Sequence, residues 1–241
     1  MLIQDARILR ELLRGQVGSG THAERLQRFY QPQAGQYDGF RERLLHGRRD
    51  LVELLSPPPG STVVELGGGT GRNLEFFGPR MCSLGRVEIV DLCPALLEVA
   101  RRRCARWPDV ARVVEADAAT YRPARPADCV FMSYALTMMP DWRATLANAL
   151  SMLRPGGLIG VVDFYISAPE PAPGRARHGA VARAFWPRWF AHDGVSLSAE
   201  HLPELIRLTD PVCCHERSSS VPYMPGLRVP YYLFVGRKRR S

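Results

Sequence analysis

The sequence predicts an α/β fold: a mainly parallel, seven-stranded sheet with an antiparallel last strand and helices on both faces. Three observations predict it. The apolar run Val63-Val64-Glu65-Leu66 stops in a glycine-rich turn, Gly67-Gly68-Gly69-Thr70-Gly71, and a helical pattern follows. Strand and helix patterns then alternate as far as Phe164. Beyond it, the strand patterns Val212–Arg217 and Val229–Val235 are joined by Pro222–Gly226, the spacing of an antiparallel pair. With 241 residues, 46% hydrophobic, the chain can bury a full core.

Each element has its own signal. Residues 1–28 read as a helical cap broken at Gly15–Gly20, and residues 1–56 together as a cap or lid. From Arg41 to Leu55, the residues Leu44, Leu45, Leu51, Val52 and Leu55 recur at helical spacing, and Pro57-Pro58-Pro59-Gly60 stops that helix. Residues 57–241 then form the main domain. Thr62–Leu66 reads as a strand, Arg72–Phe77 as the start of a helix and Arg86–Val90 as a second strand. Ala95–Trp107 carries Leu96, Leu97, Ala100 and Cys104 on one side of a helix. Val110–Glu115 and Cys129–Met132 read as strands, Trp142–Leu153 as a helix ended by Arg154-Pro155-Gly156-Gly157, and Leu158–Phe164 as a strand. Within an insertion at 166–208, Ala168–Gly174 is a proline-rich loop, while Val181–Phe190 and Ser198–Leu208 look helical.

Composition narrows the function classes. No apolar run approaches the ~18 residues of a membrane span, and the first residues lack the pattern of a secretory leader. Six cysteines show no CxxC pairing and read as reduced thiols. A cytoplasmic location without a metal site is therefore expected. Net charge is +8, and Lys238 is the single lysine. Such a surface suits contact with an anionic membrane; without an RNA-binding signature, nucleic acid is not an expected partner.

The glycine turn and the acid Asp91, at the end of Val87-Glu88-Ile89-Val90, mark a nucleoside-binding βαβ unit. The acid can accept from both ribose hydroxyls. A dinucleotide fingerprint requires glycine where Arg72 stands, which argues against NAD and FAD. No GxxxxGK run is present, which removes a phosphate-binding loop.

What remains is Glu65-x-Gly67-x-Gly69-x-Gly71. From about Leu51 to Phe164 the chain resembles the Rossmann-like class I S-adenosylmethionine methyltransferases. Asp91 matches that family's ribose acid, and Glu115-Ala116-Asp117-Ala118 resembles the segment contacting adenine. The resemblance implies S-adenosylmethionine as cofactor, held by Glu65, Gly67, Gly69, Gly71, Asn73, Asp91, Leu92, Asp117, Ala118 and Ser133. Arg48 falls on the apolar stripe of its helix, where a buried arginine needs an anion such as the ligand carboxylate. Tyr30 and Tyr37 could close over the ligand as a lid.

The flanks narrow the resemblance. Phe29-Tyr30-x-Pro32-Gln33-Ala34, Tyr37-Asp38-Gly39-Phe40-Arg41, Ser133–Trp142, Val161–Phe164, Phe190–Val195 and Val229–Tyr232 look like the N-methyltransferase of betaine-lipid synthesis, which trimethylates diacylglycerylhomoserine. That likeness implies an amine-bearing lipid headgroup as acceptor. A soluble small-molecule acceptor and a non-catalytic S-adenosylmethionine-binding protein remain open. Candidate bases for an amine acceptor are Tyr134, Asp141, His192 and Asp163, with Tyr134 expected nearest the reacting methyl. The aromatic run Phe185-Trp186-Pro187-Arg188-Trp189-Phe190 reads either as a membrane-facing surface, with Arg183 and Arg188 toward headgroups, or as a lid packed on the sheet.

Overall fold

The structure is a computed structural model that describes residues 20–31, 42–191, 193–222, 224 and 226–239. Seven strands form one sheet: β1 Thr62–Leu66, β2 Arg86–Asp91, β3 Ala111–Glu115, β4 Ala127–Ser133, β5 Leu153–Phe164, β6 Asp210–Ser220 and β7 Arg228–Arg237. Their order is β3-β2-β1-β4-β5-β7-β6. The first five strands pair in parallel, and β7 lies antiparallel to both neighbours, β5 and β6. This is the expected Rossmann-like sheet. Chain order reverses between β1 and β4, so the crevice at their carboxyl ends is the place for a ligand.

Period two builds the sheet's two faces. In β7, Tyr231, Leu233 and Val235 join one core, while Tyr232 and Phe234 join the other. The first core takes α2 (Arg48–Leu55), the 3₁₀ segment Arg72–Ser83, and α3 (Pro94–Cys104) through Leu51, Val52, Leu74, Phe77 and Ala100. The second takes α4 (Trp142–Met152) and α6 (His201–Leu208) through Leu146, Ala149, Leu202 and Leu205. α5, Ala180–Ala191, adds Trp186 and Phe190 to the first core. α1, His22–Tyr30, starts in a reciprocal cap between Thr21 and Glu24. Its Leu26, Phe29 and Tyr30 pack on Cys93 and Leu96, so α1 roofs the carboxyl ends of the strands.

Several boundaries differ from the sequence reading. Helix α1 runs two residues past the expected end of the cap. Arg41–Leu55 is not one helix: a turn at 42–44 is followed by a break, and α2 starts after Gly47, whose φ is +78°. A side chain at Gly47 would also sit 3.0 Å from the Tyr231 ring, so glycine is needed both for its φ and for space. The segment after the glycine turn is 3₁₀ rather than α, kinked at Gly78-Pro79. β5 begins at Leu153, because Leu153 already pairs with Ala127 and the expected turn becomes an irregularity within the ladder.

Candidate active site

A cavity of about 450 Å³ opens at the carboxyl ends of β1, β2 and β4. The glycine turn forms one wall. The amides of Gly67 and Gly68 both donate to the Val90 carbonyl, at 2.8 and 3.1 Å, folding the turn over the end of β2. Gly67 has φ +68°, and a Cβ there would lie 2.5 Å from the Ala135 Cβ. Only glycine fits that approach. Asp91 ties the two strand ends together: one carboxylate oxygen accepts from the Gly69 amide and the other from the Cys93 amide, each at 2.8 Å. Each oxygen can accept more than one bond, so capacity for ligand hydroxyls remains.

Glu65 is buried on the floor. Asn73 Nδ2 donates to its Oε1 at 2.5 Å, while its Oε2 has no partner among the described residues. Burial pushes the Glu65 carboxyl up to about 8, opposed chiefly by the Asn73 bond and then by the charge of Arg48. Ser133 Oγ and Asn73 Oδ1 are also buried without partners among the described residues. Unmet polar groups in a cavity wall point to a polar ligand. Arg48 is buried at the first turn of α2, with Nε donating to the Leu45 carbonyl at 3.2 Å. The opposite end is apolar, lined by Leu92, Leu96, Ala118 and Met138. Asp117 is exposed at that end, its Oδ1 accepting from the Ala119 amide. Tyr30 reaches down from the roof and donates its hydroxyl to Met138 Sδ at 3.3 Å.

These features suit S-adenosylmethionine. Asp91 could take the ribose hydroxyls and the apolar end the adenine. Glu65 Oε2 and Ser133 Oγ could take the ammonium, and Arg48 the carboxylate. Arg72, where a dinucleotide site has glycine, is instead ion-paired with Glu42 and Glu75.

Comparison with known proteins agrees. The methyltransferase domain family matches residues 37–207. The chain belongs to that family. A ubiquinone/menaquinone biosynthesis C-methyltransferase of Hydrogenovibrio crunogenus is 30% identical over 140 residues, 54% of this chain and 55% of that protein. Its counterpart from Enterobacter sp. strain 638 is 27% identical over 203 residues, 80% of this chain and 79% of that protein. The chain thus spans about half the length of the first relative and most of the second. The N-methyltransferase NodS of Bradyrhizobium japonicum WM9, in complex with S-adenosylhomocysteine, has the same fold; the TM-score is 0.66 at 19% identity, covering 88% of this chain and 98% of that one. This methyltransferase uses S-adenosylmethionine as its cofactor.

Of the expected cofactor residues, Tyr30, Arg48, Glu65, Gly67, Gly69, Asn73, Asp91, Leu92, Asp117, Ala118 and Ser133 all line the cavity. Gly71 stands just behind it, at φ +67° against Ala100. Tyr37 and His192 lie outside the described residues. The remaining three candidate bases each have partners within the fold. Tyr134 lines the cavity, but its hydroxyl donates to the His46 carbonyl at 2.7 Å, and burial raises the phenol well above its ordinary value. Burial thus favours the protonated phenol. Asp141 lines the cavity and also caps α4, accepting from the Ala144 amide at 2.9 Å. Asp163 is fully buried outside the cavity lining, where it accepts from the Thr137 amide and hydroxyl and from the Phe164 amide. It pins the turn Leu136–Met138 beneath the site.

Met138, Leu45 and Val195 also line the cavity without a sequence signal that marks them as lining residues. Met138 follows Ser133 and Tyr134 closely. Val195 comes in from within the insertion, just after α5. Among the described residues, no helix is long and apolar enough to cross a membrane, and no group of three metal-ligating side chains forms.

Proposed function

We propose that this methyltransferase transfers its methyl group to the amine of a lipid headgroup, the betaine-lipid precursor diacylglycerylhomoserine. The observation that carries this reading is the aromatic wall on the acceptor side. Tyr134 and Phe164 face each other at 4.6 Å and both line the cavity, and Phe190 stacks behind Phe164 at 4.6 Å. Aromatic faces suit an amine that gains permanent positive charge as methyl groups accumulate, each contact contributing about 0.5–2 kcal/mol.

Bound S-adenosylmethionine supplies an electrophilic methyl group on a sulfonium. The chain's own residues position the acceptor and keep water out. An amine of pKa near ~10 must arrive neutral, and a desolvating aromatic wall lowers its pKa in the required direction. That fits a site where Tyr134 holds its proton, Asp141 caps a helix and Asp163 is sealed beneath the floor. The acceptor proton is released to solvent on entry.

A second reading has its own support: both curated relatives above are named C-methyltransferases of quinone synthesis. That reaction would place methyl on a ring carbon. One experiment separates the two. The protein is incubated with methyl-labelled S-adenosylmethionine and a total lipid extract, and the labelled lipid is hydrolysed. Label released in a water-soluble amino-acid headgroup supports the proposal. Label retained on a quinone ring replaces it with the second reading. Label in small water-soluble acceptors removes both.

A further inference from the structure

The outer face of α5 is apolar, exposed and basic. Val181, Phe185 and Trp189 follow one another at i, i+4 and i+8 on one stripe of the helix, 83%, 38% and 39% exposed. The rings of Phe185 and Trp189 lie 5.6 Å apart, forming one continuous patch. The next side of the helix does ordinary core work: Trp186 and Phe190 are buried. The outward stripe leaves part of each ring in solvent while Phe185 meets Trp186 edge-on at 4.9 Å.

Charge indicates what covers it. Between Glu170 and Asp193 the sequence holds Arg175, Arg177, Arg183 and Arg188 and no acid. Arg175 is taken up by Glu216. Arg188 is exposed beside the stripe, donates to the Ala184 carbonyl within its own helix and, among the described residues, faces no carboxylate, whereas Arg183 lies on the side of Trp186 and Phe190 and donates to the His178 carbonyl. Arg177 is exposed. A second copy of the same face would set arginine against arginine with no acid in the segment to receive it. A surface of anionic headgroups over an apolar interior matches both features at once, with tryptophan and phenylalanine at the boundary and arginine beside them.

We propose that the outer face of α5 docks on an anionic lipid bilayer, Val181, Phe185 and Trp189 entering the interface while Arg177 and Arg188 meet headgroups. Phe190, from the same helix, touches Phe164 at the cavity edge, so docking would set the acceptor side of the cavity close to the membrane. The docking does not depend on which acceptor is methylated.

The test is co-sedimentation of the full chain with phosphatidylcholine vesicles, with and without phosphatidylglycerol. Sedimentation is expected only with phosphatidylglycerol. Phe185→Ser with Trp189→Ser should lower the partition coefficient by about tenfold, and Arg177→Gln with Arg188→Gln should weaken it on anionic vesicles. Circular dichroism should leave both variants folded, since Phe185 and Trp189 are exposed. Three outcomes would overturn the proposal: no sedimentation of the wild type, equal sedimentation of the aromatic variant, or a wild-type dimer that this variant dissociates. Docking without labelled lipid would leave this proposal standing and remove the lipid-amine reading.

Discussion

Glu65 is the residue where burial and chemistry are most tightly joined. It lies 1% exposed under the glycine turn, with one oxygen held by Asn73 and the other unmet. Desolvation raises its carboxyl to about 8, so at neutral pH it is mostly protonated before ligand arrives. A ligand ammonium beside Oε2 would favour the carboxylate and expel that proton. Binding of S-adenosylmethionine at pH 7 should therefore release up to one proton. Calorimetry in two buffers of different ionisation enthalpy measures it directly. Affinity should rise with pH between 6 and 8, by up to tenfold per unit at the limit of full coupling. Glu65→Gln mimics the protonated acid and can still accept from Asn73. The variant should bind more weakly and lose most of the pH dependence between 7 and 8. An unchanged proton count would mean that the ammonium lies elsewhere.

At the scale of elements, the break before α2 and the turn after β4 make one device. Tyr134 has φ +53°, a left-handed conformation that costs a non-glycine residue about 1–2 kcal/mol. The break at Gly47 frees the His46 carbonyl, and the Tyr134 hydroxyl takes it, while the ring packs on Phe164. Tyr134→Phe should thus cost about 1 kcal/mol of stability, a hydrogen bond's worth. It should leave kcat within about threefold, because a phenol already donating to a carbonyl takes no proton. A loss of about a hundredfold or more would instead mark a general base. Sequence reasoning reaches only part of this device. The glycine turn and Asp91 are legible because their chemistry is local: the Asp91 bonds to Gly69 and Cys93 span 22 and 2 residues. Arg48 is legible from the apolar stripe it shares. The break is hidden, because Leu44, Leu45, Leu51, Val52 and Leu55 keep helical phase across it. The Tyr134 bond spans 88 residues, beyond any periodicity. Asp141 shows the opposite case. An acid just before an apolar helix is an ordinary N-cap signal, and Asp141 caps its helix while standing in the cavity wall.

At the scale of the molecule, the buried titratable groups set a pH dependence with opposing parts. Burial lowers the His201 imidazole from 6.5 to about 4. Between those values the unfolded chain binds more protons, so this group makes stability rise with pH. Asp163 is raised to about 7 and Glu65 to about 8, each from an unfolded value near 4. There the native state binds more protons, so stability falls as pH rises toward each folded value. Above pH 6.5 the histidine contribution is spent, Asp163 fades by about 7, and Glu65 acts alone to about 8. Chemical denaturation of the ligand-free protein should show stability declining between pH 6.5 and 8, by about 3 kcal/mol at most, since each pKa unit is worth 1.36 kcal/mol. Saturating S-adenosylmethionine should remove most of that slope, because Glu65 is then already ionised in the native state. The Glu65→Gln variant should show a flat profile above pH 7 with or without ligand. A ligand-free stability that rises through this window would refute the burial argument, and a wild-type slope that ligand leaves untouched would refute the pairing of Glu65 with the ligand's ammonium.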